Sequence, residues 1–199
     1  MGAVLAMARP DAQRGVLRGP RVVLSLRASM ADTERRALLG TIAFTLVVPG
    51  TAIVLIPYLL TGWNLRPPFL GIEATRSLGG ALIVLAAPLF FRFLSGFVRE
   101  GHGTPAPIAP PEHLVVGGPF RWVRNPGYVA VVSLVVGQAL LFGSGAVLAY
   151  AAFLALAFHV FVVLYEEPTL RRQFGAEYDA YCHEVPRWLP RRRPSRWAR

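Results

Sequence analysis

Tyr128-Val129-Ala130-Val131-Val132-Ser133-Leu134-Val135-Val136-Gly137-Gln138-Ala139-Leu140-Leu141-Phe142-Gly143-Ser144-Gly145 opens a run that carries no charged residue as far as Tyr165. The Gly143-Ser144-Gly145 turn divides it into two apolar segments, about 128–142 and 146–165. An apolar helix needs about 20 residues to cross a bilayer, so the first segment is short unless its neighbours bury it. The pair reads as a membrane hairpin. At one end stands Gly117-Gly118-Pro119-Phe120-Arg121-Trp122-Val123-Arg124-Asn125-Pro126-Gly127, and at the other Glu166-Glu167. Both clusters are polar and turn-rich, so a polar ligand could meet a lipid-soluble one between them.

The whole chain agrees with that reading. It has 199 residues, 54% hydrophobic and 16% charged, against roughly 25% charged in soluble domains. Net charge is +10 and all 21 basic residues are arginine. Basic charge fits nucleic acid or anionic lipid, and here it flanks apolar blocks, which favours lipid head groups over nucleic acid. The single cysteine, Cys182, excludes an internal disulfide and gives no metal-ligand spacing.

Moving toward the N-terminus, two further apolar blocks predict spans over about 78–97 and 38–60. Arg92 lies near the end of the first and can snorkel to head groups. Pro49-Gly50 should kink the second, which membrane helices tolerate when neighbours cover the freed carbonyl. Trp63 reads as an interfacial exit. Residues 1–37 are polar, hold seven arginines and lack a helical period, so they form a disordered or interfacial segment, with Met1 and Met30 both open as starts. Residues 38–199 then make one membrane domain. The 98–126 loop is rich in glycine and proline and long enough to be functional. Beyond Glu167, Leu170, Phe174, Tyr178 and Tyr181 recur every three to four residues, predicting one amphipathic surface helix that ends before Pro186.

The expected architecture is therefore an all-α integral membrane protein with about four transmembrane helices and a C-terminal amphipathic helix. An even number of spans puts both termini on one side. The N-terminal segment, the 98–126 loop and the tail hold nearly all the arginines. By the positive-inside rule they face the cytoplasm, which in a bacterium means the inner membrane.

The clusters themselves leave alternatives open. Glu166-Glu167 falls where the span should end, and carboxylates are unfavourable at a helix C-terminus. Arg121, Arg124, Arg171 or a cationic ligand would compensate, or the pair is a plain membrane-exit charge. His159, two turns earlier, either packs in a hydrogen bond or lines a substrate entry, and Gln138 is read the same way. Arg121 and Arg124 bracket Trp122 before a proline-started helix, whose first N–H groups suit an anion; an interfacial arginine-aromatic belt is equally consistent. No G-x-G-x-x-G, G-x-x-x-x-G-K, H-E-x-x-H or C-x-x-C motif is present, so a Rossmann domain is not expected.

Leu114-Val115-Val116-Gly117-Gly118-Pro119-Phe120-Arg121-Trp122-Val123-Arg124-Asn125-Pro126-Gly127-Tyr128, then Glu166-Glu167-Pro168-Thr169-Leu170, Phe174-Gly175-Ala176-Glu177-Tyr178 and Val185-Pro186-Arg187 resemble, in that order and spacing, the isoprenylcysteine carboxyl methyltransferase and phospholipid methyltransferase superfamily. The likeness covers about residues 98–190. It implies an integral membrane methyltransferase that uses S-adenosylmethionine without a Rossmann domain, with the cofactor half at 98–190 and the C-terminal helix closing over it. Carried over, the cofactor residues are His113, Leu114, Val115, Phe120, Asn125, Pro126, Tyr128, Glu166 and Glu167. Catalytic candidates are Arg124, Glu166 and His159, and no metal is implied. Asn125 stands where the family usually has histidine, so any role needing imidazole is lost.

The implied acceptor is a lipophilic small molecule or lipidated group: an isoprenylcysteine-type carboxylate, a related isoprenoid or a phospholipid amine. Two other readings remain. One is a membrane reductase using a nicotinamide cofactor on a lipid enone, and the other is a non-catalytic lipid-binding protein.

Overall fold

A computed structural model describes residues 47–99, 114 and 116–195, and every regular element among them is helical. Helix α1 is Val47–Thr61, α2 Ala74–Arg99, α3 Pro126–Phe142, α4 Gly145–Phe174 and α5 Ala176–Glu184. Short 3-10 turns occupy Phe69–Gly71 and Gly118–Arg121. The N-terminal segment, the start of the expected first span and most of the 98–126 loop lie outside the described residues.

Helix α3 is the centre of the bundle. Its 17 residues rise about 25 Å at 1.5 Å each, less than a bilayer core of about 30 Å. Burial compensates. One side packs Ala130, Val131 and Leu134 against Ala86, Phe90 and Leu94 of α2. The other packs Val135 and Ala139 against Val147 and Ala151 of α4. The α2–α3 crossing is close because glycines face each other. A Cβ on Gly79 would lie 2.6 Å from the Gly137 carbonyl, and one on Gly127 would lie 2.6 Å from the Phe93 ring. Small residues admit such approach between membrane helices, where packing replaces the hydrophobic drive.

Away from α3 the apolar side chains turn outward: Leu78, Val84, Leu85 and Phe91 on α2, and Phe153, Leu156, Val160 and Leu164 on α4. A soluble monomer rarely exposes patches of that kind. Two helical stretches, Ala74–Ser95 and Gly145–Phe174, are long and apolar enough to cross a membrane, and α1 and α3 are shorter apolar helices.

Proline chemistry makes α1 irregular, and the turn that a Pro49-Gly50 kink would open lies outside the described residues, which begin at 47. Gly50 is helical (φ −61°, ψ −42°), and the irregularity is a π-turn at Thr51–Leu55 just before Pro57. Proline has no N–H to return to the preceding turn. Side chains from two neighbours supply the missing donors: Gln138 Nε2 to the Ile53 carbonyl at 2.8 Å and Tyr150 Oη to the Ala52 carbonyl at 3.2 Å. Gln138 is thus a bridging residue between α3 and α1.

The end of α4 also differs from expectation. The helix does not stop at Tyr165; it passes through a second π-turn, Val162–Glu166, and continues to Phe174. The carboxylates therefore lie inside a helix, and the unfavourable C-terminal dipole does not act on them. The expected single amphipathic helix is two pieces. Gly175 breaks it at φ +53°, ψ −128°, a conformation open to glycine. Leu170, Phe174, Tyr178 and Tyr181 nonetheless share one small core with Val185, Cys182, Leu114 and Val116. That core forms a cap over one end of the bundle.

Candidate functional site

The site is built where the start of α3, the π-turn of α4 and the residues after α5 meet. Pro126 fixes the first turn of α3, and the preceding Gly118–Arg121 turn brings Arg124 and Asn125 to the bundle end. The π-turn of α4 ends at Glu166, next to Glu167; such bulges recur at functional sites.

Glu167 is only 3% exposed. Its Oε1 accepts from Arg124 Nη1 at 3.0 Å and from Arg187 Nε at 2.6 Å, and its Oε2 accepts from Arg187 Nη2 at 2.9 Å. Arg171 Nη2 stands 4.0 Å from Oε2. A buried carboxylate is tolerable only with such pairing, and the two-point arginine grip is the strong form of it. The hydrogen bond to Glu167 raises the Arg187 pKa above its ordinary value.

Two guanidiniums on one carboxylate leave an uncompensated positive charge. Arg124 Nη1 also reaches Cys182 Sγ at 2.7 Å. Its Nε–H is buried and has no hydrogen-bond partner among the described residues, a costly condition that an anion would relieve. This is the positive pole.

Glu166 makes the negative pole. Its Oε2 accepts from the Tyr128 hydroxyl at 3.1 Å, which leaves Oε1 for another partner. The Tyr128 ring lies 4.6 Å from that of Phe158, fixing the phenol from below.

Asn125 is buried and its side chain does not cap α3. Instead Nδ2 donates to the Arg187 carbonyl at 3.2 Å. The tail follows the turn: Arg124 N donates to Pro186 O at 2.9 Å, Arg191 N to Trp122 O at 3.0 Å and Ser195 N to Arg121 O at 2.8 Å. Tyr181 adds its hydroxyl to the Phe120 carbonyl at 2.8 Å, and burial raises its pKa.

Of the residues expected from sequence, Phe120, Arg124, Asn125, Pro126, Tyr128, Glu166 and Glu167 are brought to this end of the bundle. Leu114 packs in the cap core; His113 and Val115 lie outside the described residues. His159 points elsewhere. It is exposed, and its Nδ1 accepts from Trp188 Nε1 at 3.1 Å, so it pins the tail to α4 rather than facing Glu166. Arg121 serves the Ser195 carbonyl, not the carboxylates. Sequence reading gave Arg187 no site role. The signal was available in principle, since a buried Glu167 needs more cation than one partly shared arginine supplies.

No curated protein and no solved structure matches the chain. A model of the family described as phospholipid methyltransferase matches residues 75–177, from the first turn of α2 into the first turn of α5 and over just more than half of the sequence. That stretch contains Arg124, Tyr128, Glu166 and Glu167, and nearly all of the two helical stretches of membrane-crossing length. This chain belongs to the phospholipid methyltransferase family.

Proposed function

We propose that this chain is an integral membrane methyltransferase that uses S-adenosylmethionine to methylate a lipophilic acceptor, with a phospholipid amine ahead of an isoprenylcysteine-type carboxylate or another isoprenoid. In this reading α1 to α4 are four spans of one domain, residues 38–199. Both termini and the site face the cytoplasm, in a bacterium at the inner membrane.

The observation that carries the reading is the pair of opposite poles at one end of an apolar bundle. The amino-acid end of S-adenosylmethionine is a zwitterion, and the residues fit it. The unpartnered Arg124 Nε–H suits the carboxylate. The Glu166 carboxylate, held by Tyr128, suits the ammonium. When bound, the cofactor supplies an electrophilic methyl group on a sulfonium.

The chain's own contribution is placement, because an in-line displacement depends on holding donor and acceptor in reach. Tyr128 and Phe158 form an aromatic wall beside Glu166, suited to a cation. The outward apolar faces of α2 and α4 let a lipid acceptor approach from the bilayer while the cofactor enters from the water side. An isoprenyl carboxylate acceptor would compete with the cofactor carboxylate for the Arg124 Nε–H, and the family description favours an amine.

The test has two parts. Calorimetry on detergent-solubilised protein should detect S-adenosylmethionine binding. Mass spectrometry of membranes with and without the protein should find a methyl increment on an aminophospholipid. Absence of both results would sink the reading.

A further inference from the structure

The C-terminal tail lies beyond the residues matched by the family, which end at 177, yet it supplies partners to Arg124, Asn125 and Glu167. We propose that Asn125 and Arg187 form a latch that fastens this tail over the bundle end and thereby sets the orientation of Arg124. The inference rests on the cofactor reading above only for what Arg124 binds; the latch stands on geometry alone.

Both ends of the latch meet at one residue. The Asn125 amide holds the main chain of Arg187 through its carbonyl at 3.2 Å, and the Arg187 guanidinium grips both oxygens of Glu167 at 2.6 and 2.9 Å. Residue 125 is thus coupled to residue 187, at the position where the resembled family usually carries histidine. A primary amide can give an N–H to the tail carbonyl without carrying a charge of its own among three guanidiniums.

The effect on Arg124 follows from acceptor capacity. Glu167 Oε1 is shared between Arg124 and Arg187, and Oε2 belongs chiefly to Arg187. Arg124 is therefore confined to a one-point contact through Nη1, which keeps its Nε–H turned away from the carboxylate and unpartnered. Without Arg187 both oxygens become available, and Arg124 gains by closing on them with two N–H groups. That movement consumes the donor meant for an anion. Arg187 is accordingly a positioning residue.

The latch is also the part able to open. The Arg187 side chain keeps 32% of its exposure, against 12% for Arg124 and 4% for Glu167. Its release exposes one guanidinium that is already partly hydrated.

Cys182 is the chain's only cysteine and lies under Arg124, so its alkylation by a maleimide reports on the closed tail. In full-length protein without cofactor, Arg187→Ala and, separately, Asn125→Ala should accelerate Cys182 labelling about tenfold, the factor for about 1.4 kcal/mol. Arg187→Lys, which keeps the charge without the two-point grip, should fall between. S-adenosylmethionine should slow labelling of the wild type and bind Arg187→Ala about tenfold more weakly.

Labelling of both alanine variants at the wild-type rate would overturn the latch. Wild-type affinity of Arg187→Ala for S-adenosylmethionine would overturn its role in orienting Arg124. A wild type that binds no S-adenosylmethionine while Arg187→Ala still labels fast removes the cofactor reading and upholds the latch. Where Arg187→Ala yields no folded protein, Arg187→Lys and Asn125→Ala decide on the same readout.

Discussion

Tyr128 donates its hydroxyl to Glu166 Oε2 across 3.1 Å, joining the first turn of α3 to the π-turn of α4. Glu167, the next residue, has no such phenol and is gripped instead by Arg124 and Arg187. Two adjacent carboxylates thus have different work: one faces a single neutral donor and keeps capacity for a ligand, the other is saturated by the protein. Consecutive side chains on a helix lie about 100° apart, so the two carboxylates reach separate neighbours.

The first prediction separates those roles at Glu166. Glu166→Gln keeps the shape and the tyrosine contact but removes the charge. S-adenosylmethionine affinity should fall at least about tenfold, within the worth of a hydrogen bond to a charged group. Thermal stability should change by less than about 1 kcal/mol. Calorimetry alongside a melting curve checks both, and a variant that binds normally removes Glu166 from the site.

Glu167 should behave in the opposite way. Glu167→Ala strands two guanidiniums, one of them mostly buried, and breaking a buried ion pair by removing one partner costs about 3–5 kcal/mol. The expected result is a large drop in melting temperature, with cofactor binding lost as a consequence. The paired variant Arg124→Met with Glu167→Met should recover part of the stability, because the mostly buried guanidinium is then no longer stranded. A melting temperature unchanged in Glu167→Ala would show that the grip is not structural.

These two residues also show what the sequence could and could not tell. The charge pair, the arginine-bracketed turn and the apolar run between them are legible as two clusters joined by α3 and α4, because hydrophobic blocks and turn residues act locally. Arg124 and Arg171 could be named as compensating cations on charge logic. The partner that matters most, Arg187, sits 20 residues from Glu167, and only the fold of the tail brings it there.

Of the two readings open for His159, the hydrogen-bonded one describes its contact with Trp188, and the chain reaches Glu166 from it through a π-turn. Pro57 drew no expectation from the sequence, yet a π-turn lies just upstream of it.

Gln138 supplies the third prediction. Its amide replaces the N–H that Pro57 lacks at the Ile53 carbonyl, in a setting where water does not substitute. Gln138→Leu should cost about 0.6–2 kcal/mol, the range for hydrogen bonds between membrane helices. Tyr150→Phe, which acts on the adjacent Ala52 carbonyl, should be non-additive with it. A double-mutant cycle read by thermal unfolding in detergent measures the coupling. Strict additivity would mean that the two carbonyls are satisfied independently.

Docking of α5 should respond to alkaline pH. Burial raises the Tyr181 pKa above its ordinary value of 10.0, and its hydroxyl hydrogen is given to the Phe120 carbonyl. A group whose folded pKa is raised lends stability that is complete below the unfolded pKa and disappears as pH climbs through the folded one. The cap should therefore hold to about pH 10 and loosen above it. Tyrosinate absorbance should show a late-titrating phase, shared with the buried Tyr178 of the same cap, whose amplitude Tyr181→Phe lowers by one tyrosine. If that variant leaves the late phase intact, the assignment to Tyr181 fails.

The last prediction concerns the crossing on which the whole site rests. Arg124, Asn125 and Tyr128 are positioned by α3, and α3 is positioned by its glycine contact with α2. A Cβ on Gly79 would stand 2.6 Å from Gly137 O and 2.7 Å from Leu141 N, both main-chain atoms that cannot step aside without moving the helix. Gly79→Ala should destabilise by about 1–3 kcal/mol, the usual cost of overpacking. Gly80→Ala, one residue on and facing open space, should be neutral or slightly stabilising through helix propensity. The comparison isolates steric closeness from helix propensity, since both changes are the same chemistry in the same helix. Equal melting temperatures for the two variants would show that α2 and α3 do not meet through Gly79. In that case the placement of the α3 start, and with it the Tyr128–Glu166 contact, would need another support.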